Sequence, residues 1–241
     1  RLHDLNGDNE ADFYESFHSD FAAHPSYHAF AFGLDTDTEG NFYWVRGGNW
    51  IQEDFPDHNS FFKVSKDGSR REVIARGFRA PNGLSVGPNN EITCGDNQGH
   101  WTPASKINWI KPGGFYGHCG DPRTVNLKGR TDLPKTFDPP LCWIPHAMDN
   151  SSGGQVWVTS EKWGPLKGQM LHTSYGKGTL FLVLKEEVAG LMQGGVVKFP
   201  LAFASGIMRG RFNPLDGQLY LSGLKGWQTA GNRDGSFSRV R

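Results

Sequence analysis

Residues 79–117 read RAPNGLSVGPNNEITCGDNQGHWTPASKINWIKPGGFYG. Two short runs, LSV (84–86) and EIT (91–93), are joined by the turn GPNN (87–90). The polar loop GDNQGHWTPAS (95–105) follows, then a third run, KINWI (106–110), and a glycine-rich corner, KPGGFYG (111–117). Short strands, a tight turn and one long polar connection describe a β-sheet module that carries chemistry on its loop. The module recurs. GNFYWV (40–45), NEITCG (90–95), GQVWVT (154–159) and GQLYLS (217–222) share a turn Gly or Asn, a polar residue and alternating apolar residues. Their first residues, Gly40, Asn90, Gly154 and Gly217, are 50, 64 and 63 positions apart. Each is followed by a strand of a second type: FFKV, KINWI, TLFLV and SFSRV. Repeats of this length, with several strands each, are the signature of propeller blades.

The fold class read from this pattern is all-β, a β-propeller. LKEEVAGLMQGG (184–195) is the one candidate for an amphipathic helix. Four blades fall short of a closed propeller. Arg1 opens onto a polar loop without an initiator Met or signal peptide, and Arg241 ends inside an apparent strand, FSRVR. The chain therefore reads as a single propeller domain over 1–241, truncated at its N-terminal side. Residues 118–142 have no periodicity and read as a long excursion, a feature uncommon unless functional or disordered.

Composition agrees with a turn-rich β protein: among 241 residues there are 32 Gly, with 13% aromatic and 37% hydrophobic residues. Lys+Arg and Asp+Glu are both 25, so the net charge is zero and no nucleic-acid footprint is present. No run of about 18 apolar residues offers a membrane span. Cys94, Cys119 and Cys142 lack metal or haem-attachment spacing. A Cys119–Cys142 disulfide and buried thiols are both open.

Several residues could carry chemistry. Asp4, Asn6, Asp8 and Asp12 of DLNGDNEAD (4–12) place oxygen ligands at alternating positions around Gly7, as a hard cation requires; the alternative is a solvated acidic turn. His24 and His28 are candidate proton acceptors near neutral pH, or packed histidines. Asp96, Asn97, Gln98, Gly99 and His100 follow a strand where propeller loops meet the central channel. Trp143 and His146 flank a Pro, and Lys177 sits in a Gly-flanked turn. Arg209 and Arg211 lie two apart on a strand, so alternation directs both to one face, opposite Met208, Gly210 and Phe212. Two arginines aimed alike suit a carboxylate-rich ligand; two exposed arginines on an edge strand is the other possibility.

RAPNGLSVGPNNEI, DNQG and SKINWIKPGGFYG resemble the corresponding stretch of soluble quinoprotein glucose dehydrogenases and sorbosone-dehydrogenase-like proteins. MRGRFNPLDGQLYLSG (208–223) resembles the same family's Arg-x-Arg strand and its following turn. The chain looks closer still to a branch of large bacterial membrane-bound dehydrogenases, whose propeller is often joined to c-type haem domains. The resemblance covers nearly the whole chain and about four blades of a six-bladed propeller.

It implies a periplasmic or extracellular bacterial protein that oxidises a sugar or alcohol with pyrroloquinoline quinone (PQQ) and calcium. Electrons would pass to a haem domain or c-type cytochrome. His28, or less closely His24, would match the catalytic base, and Arg209 would act at the reacting quinone. Arg79, Gln98, Gly99, His100, Trp143, Lys177, Arg209 and Arg211 would contact the cofactor. The carbonyls of Gly99 and His100 would hold calcium. Two positions depart from the family: Ala80 replaces an Asn, and His100 replaces a Pro. These departures favour a second reading, a non-catalytic propeller that binds glycans or partners. A calcium-dependent lactonase-like hydrolase is a third, without a defined acidic cluster to support it.

Overall fold

The computed structural model describes residues 1–26, 28–48, 57–120 and 134–241. Strands β1 (Leu2–His3) and β2 (Phe13–Tyr14) form a small antiparallel hairpin. Strands β3 (Ala31–Thr36), β4 (Phe42–Arg46), β5 (Ser60–Val64) and β6 (Arg71–Arg76) then make the first antiparallel blade. The second blade contains β7 (Gly83–Val86), β8 (Ile92–Asp96) and β9 (Ser105–Trp109). Strand β10 (Gly114–Phe115) steps back to pair in parallel with β6, and β11 (Cys142–Ile144) completes the second blade against β9.

Strands β12 (Ser152–Trp157), β13 (Met170–Ser174), β14 (Thr179–Val188) and β15 (Leu191–Lys198) are the third blade. Strands β16 (Gly206–Phe212), β17 (Leu219–Leu224) and β18 (Gly235–Val240) are the fourth. One 3-10 helix, Glu161–Leu166, lies between β12 and β13. No helix among the described residues is long and apolar enough to cross a membrane.

The blades are arranged about their first strands: β7 lies against β3 and β12, and β12 against β16. Alternation in each strand supplies the filling between blades. Tyr43, Val45, Phe61 and Phe78 meet Leu84, Cys94 and Ile110 between the first and second blades. Ile107, Cys142 and Ile144 meet Trp157, Met170 and Val183 between the second and third. Val156, Leu171 and Leu180 meet Ile207, Leu219 and Leu221 between the third and fourth. On the other face of the first blade, Trp44 stacks on Phe62 at 4.1 Å, and Phe21 of the N-terminal segment meets Trp44 edge-on at 5.7 Å.

The first strands approach so closely that glycine is needed. A Cβ on Gly153 would lie 2.3 Å from both Ile207 O and Thr173 Oγ1, and one on Gly83 would lie 1.8 Å from Gly153 O.

The repeat read from the sequence needs one correction. GNFYWV, NEITCG and GQLYLS are the second strands of their blades, β4, β8 and β17, but GQVWVT is the innermost strand β12. The equivalent of the others is GQMLHT, which begins at Gly168 and leads into β13. Backbone conformation separates the two: Gly40, Asn90, Gly168 and Gly217 have φ of 87°, 63°, 77° and 69°, whereas Gly154 is not among the positive-φ residues. The four strands of the second type are the third strands β5, β9, β14 and β18, so in the third blade β13 stands between GQVWVT and TLFLV.

Residues 184–195 are not a helix. They form the β14–β15 hairpin, closed by Ala189 and Gly190, both with positive φ as a type I′ turn requires. No disulfide forms among the described residues; Cys94 and Cys142 are buried thiols, and Cys119 Sγ donates to Gly117 O. Residues 121–133 of the sequence excursion lie outside the described residues, while its return leg is tied down by mutual hydrogen bonds between Asp138 and Phe115.

Candidate functional site

Strand direction gathers most of the candidate residues at one end of the blades. The ends of β4, β6, β8, β11 and β13 and the starts of β3, β5, β7, β9, β12, β14 and β16 share that end. It carries His24 and His28 before β3, Arg79 and Ala80 between β6 and β7, and Gln98, Gly99 and His100 between β8 and β9. Trp143 in β11, Lys177 between β13 and β14, and Arg209 in β16 join them.

The Arg79 segment is held by one buried carboxylate. Asp96 Oδ2 accepts from Arg79 N at 3.0 Å and Oδ1 from Ala80 N at 2.7 Å. The Arg79 guanidinium lies flat against Gly99: a Cβ there, at φ 149°, would be 2.1 Å from Cζ. Only glycine leaves room for it. Arg79 Nη1 reaches Asn97 O at 3.4 Å, while Nε is buried without a partner. Burial draws the Arg79 guanidinium below its ordinary pKa, and Asp96 opposes the shift. Gly99 N and O both bond to Thr102, which shapes the loop into a tight turn.

Beneath this loop lies a group that the sequence does not announce. Lys106 on β9 is buried and donates Nζ to Tyr116 O. Its Nζ also lies 5.3 Å from the centre of the Trp143 ring, a cation–π contact with the strand beside it. Burial lowers the Lys106 pKa, against the attraction of Asp96. Trp143 itself is 39% exposed, so its outer edge is open to a ligand. His118 is fully enclosed by Gly48 and Asn59 on one side, with the backbone of His100 nearby, and neither ring nitrogen makes a well-formed hydrogen bond. Burial lowers its pKa to about 4.

Arg209 and Arg211 do share one face of the fourth blade. With Tyr220, Ser222 and Phe237 they line an open cleft of about 500 Å³, while a Cβ on Gly210 would point to Leu219 and Leu221 in the core. Arg209 turns back across the start of β12. Its Nη1 donates to Asn82 O at 3.0 Å and Met208 O at 2.7 Å. Among the described residues neither arginine makes an ion pair; burial and then the Arg211 charge draw Arg209 below its ordinary pKa. Lys177 is half-buried, and its backbone N donates to Ser174 Oγ at 3.0 Å. His28 is half-buried, with its N donating to Ser26 Oγ and its ring edge-on to Phe30. His24 Nδ1 accepts from Ser26 N at 3.0 Å.

The acidic loop at 4–12 stands apart from this end. Its hairpin is anchored at the β5–β6 turn, where Arg1 donates to Lys66 O and His18 Nδ1 meets Gly68 O. The loop oxygens are occupied by backbone N–H groups: Asp4 accepts from Gly7 and Asn9, Asn6 from Asp8, Asp8 from Glu10 and Asp12 from Leu5. No group of three or more His, Cys, Asp or Glu side chains among the described residues is placed to hold a metal.

The donor set at the gathered end fits an anion. It offers a buried Arg79 Nε without a partner, an Arg209 with no carboxylate, and the ammonium of Lys177. The donors that calcium would use are main-chain carbonyls. Gly99 O already accepts from Thr102 N at 3.0 Å and retains its second lone pair.

Neither a protein-family model nor a curated protein sequence matches the chain. Solved structures do. The chain is similar to an oxidoreductase of glucose dehydrogenase type from Thermus thermophilus, at 21% identity and a TM-score of 0.64, over 91% of this chain and 67% of that one. It is similar to the soluble aldose sugar dehydrogenase of Escherichia coli in its apo form, at 15% identity and 0.59, over 79% and 59%. It is similar to the PQQ-bound aldose sugar dehydrogenase of Streptomyces coelicolor, at 14% identity and 0.59, over 86% and 60%. The chain thus has the fold of these β-propeller dehydrogenases and spans 59–67% of their length.

Proposed function

We propose that the chain is part of an extracytoplasmic dehydrogenase that oxidises a sugar or alcohol with PQQ and calcium and passes electrons to a haem domain or c-type cytochrome. The observation that carries this reading is the pair Arg209 and Arg211. They are adjacent on one face, without a carboxylate partner among the described residues, and they border a cleft of about 500 Å³. Arg209 is half-buried without a counter-ion, which is costly unless an anion completes it, and Arg211 stands exposed beside it on the same cleft. The fold shared with glucose and aldose sugar dehydrogenases, one of them PQQ-bound, supports the same substrate class.

When bound, PQQ supplies the two-electron acceptor for the hydroxyl-bearing carbon. The chain's own residues bind and orient. Arg209, Arg211 and Lys177 would pair with carboxylates, Arg79 would lie against the ring system from the Gly99 side, and Trp143 would stack. Gln98 and the carbonyls of Gly99 and His100 would hold the calcium and quinone edge. His28 would take the substrate hydroxyl proton on a ring nitrogen. Ala80 offers no polar side chain where the resembling family has Asn, so its contribution is limited to the backbone that Asp96 fixes.

The test is titration of the full-length protein with PQQ in the presence of calcium, followed by dye-linked oxidation of an aldose and alcohol panel. Saturable PQQ uptake with turnover is expected. Saturable sugar binding without PQQ uptake would establish the non-catalytic glycan-binding alternative instead.

A further inference from the structure

Ser152, at the start of β12, is a crossing point for the loops of the gathered end. Its N donates to Asn97 Oδ1 at 2.6 Å, its O accepts from Asn82 Nδ2 at 2.8 Å, and its Oγ donates to Asp149 Oδ2 at 3.1 Å. Each of these partners leads to a different loop. Asn97 adjoins Gln98 and donates its N to Ala80 O, and its neighbour Asp96 fixes Arg79 N and Ala80 N. Asn82 holds the Arg209 guanidinium. Asp149 accepts from Ser174 Oγ at 2.6 Å, and the same Ser174 Oγ accepts from Lys177 N at 3.0 Å.

Asp149 and Ser152 are fully buried, as are His172 and Ser174. The Asp149 carboxylate is saturated: it accepts from Ser152 Oγ, Ser174 Oγ and Ser151 N, and His172 Nε2 lies 2.9 Å from it. On the far side of the ring, His172 Nδ1 meets Gln155 Nε2 at 2.9 Å. With the amide nitrogen donating there, the neutral ring carries its proton on Nε2 and donates it to Asp149. Burial by itself would raise the Asp149 pKa; the His172 hydrogen bond and the hydroxyl donors more than offset it, and the group stays ionised.

A buried polar network built on a saturated carboxylate fixes one arrangement, because any member that moves leaves its partners unpaired. We propose that Asp149, His172, Ser152 and Ser174 are positioning residues that set the Arg79, Gln98, Lys177 and Arg209 segments in one mutual register, so that a ligand engaged by any one segment finds the others already placed. None of the four touches the ligand in this proposal. Its ligand arm rests on the quinone reading above; its backbone arm does not.

The backbone arm is amide hydrogen exchange of the full chain without ligand. In Asp149→Asn, exchange is expected to quicken about tenfold or more at 97–99, at 151–152 and at 177 together. Faster exchange confined to 149–152 would overturn the proposal. Should Asp149→Asn fail to fold, Ser174→Ala, a smaller change, is expected to quicken exchange at 177 and at 151–152; acceleration at 177 alone would overturn it.

The ligand arm is a double-mutant cycle on the PQQ dissociation constant with Ser174→Ala and Lys177→Ala. The loss on removing Lys177 is expected to be at least threefold smaller when Ser174 is already Ala. Fully additive losses would overturn the proposal, since a merely structural serine leaves the worth of Lys177 unchanged. If Lys177→Ala alone leaves PQQ affinity untouched, the quinone reading fails, and the exchange result still decides the network.

Discussion

Gly153→Ala isolates the geometry on which the blade arrangement depends. The added Cβ would sit 2.3 Å from Ile207 O and from Thr173 Oγ1, and 2.8 Å from Thr173 O. Neither neighbour can turn away. Ile207 O belongs to the backbone of β16, and Thr173 Oγ1 is pinned by Gly154 N at 2.8 Å and Gly154 O at 3.1 Å. Ordinary contact begins near 3.4 Å, so β12 and β16 must part by about 1 Å. That gap opens the seam where Val156 and Leu171 meet Ile207 and Leu221, and forfeits a sizeable part of its dispersion attraction.

Overpacking costs of about 1–3 kcal/mol apply where side chains can adjust. With backbone on the opposing side the upper end, about 3 kcal/mol, is expected. For a domain of this size that is a fall of roughly 6–12 °C in melting temperature. Gly195→Ala on β15 is the control, because nothing lies within 4 Å of a Cβ there. It should be neutral, or stabilise by up to about 1 kcal/mol. Thermal melts followed by circular dichroism, with urea unfolding beside them, read both. A Gly153→Ala protein melting within about 1 °C of the parent would refute the close approach of the first strands.

Arg211→Gln is expected to leave the melting temperature within about 2 °C, since its one described hydrogen bond is to Gly210 O, yet weaken PQQ binding by about tenfold or more in a spectroscopic titration. Unchanged affinity would remove Arg211 from the site. For His118 the folded pKa of about 4 lies below the ordinary 6.5, so the neutral ring is favoured in the fold. Its stabilising effect is present above about pH 6.5 and is lost as pH falls toward 4, by up to about 3 kcal/mol. Urea midpoints at pH 7 and pH 4.5 should therefore diverge more in the parent than in His118→Asn; equal divergence would show that the ring does not titrate as buried. Burial raises the Cys142 thiol to about 11 and the Cys94 thiol well above its ordinary value, so both should resist a thiol reagent at pH 8 until urea unfolds the chain. Rapid labelling of either in the native protein would contradict the blade seams in which they are placed.

The blades were legible because alternation and turn residues are local. Gly40, Asn90 and Gly217 mark second strands through the positive φ that their turns impose. The third mark was misplaced for a physical reason. Gly154 and Gly168 are both followed by Gln and alternating apolar residues, but Gly154 answers a close approach between strands and Gly168 a turn. A single sequence does not separate those two uses of glycine. LKEEVAGLMQGG carries helix-favouring residues, yet the partner strand and the Ala189–Gly190 turn outweigh local propensity.

The facing of Arg209 and Arg211 followed from period-2 alternation. Lys106 and His172 carried no signal of their own, because KINWI also holds Asn108 and MLHTS also holds Thr173 and Ser174. The Ser152 crossing carried none. Two of its partners are 55 and 70 positions away in the chain, and only the packing of the third blade on the second brings them together.

The β14–β15 hairpin begins beside Lys177 and runs 10 residues along β14 to the exposed Ala189–Gly190 turn. At about 3.3 Å per residue its tip stands roughly 30 Å from the gathered end. That distance makes the tip a natural attachment point. A fluorophore, affinity peptide or conducting tether spliced between Ala189 and Gly190 would load only the far end of the longest ladder among the described residues. It would leave the loops around Arg79, Lys177 and Arg209 free to meet whatever they bind.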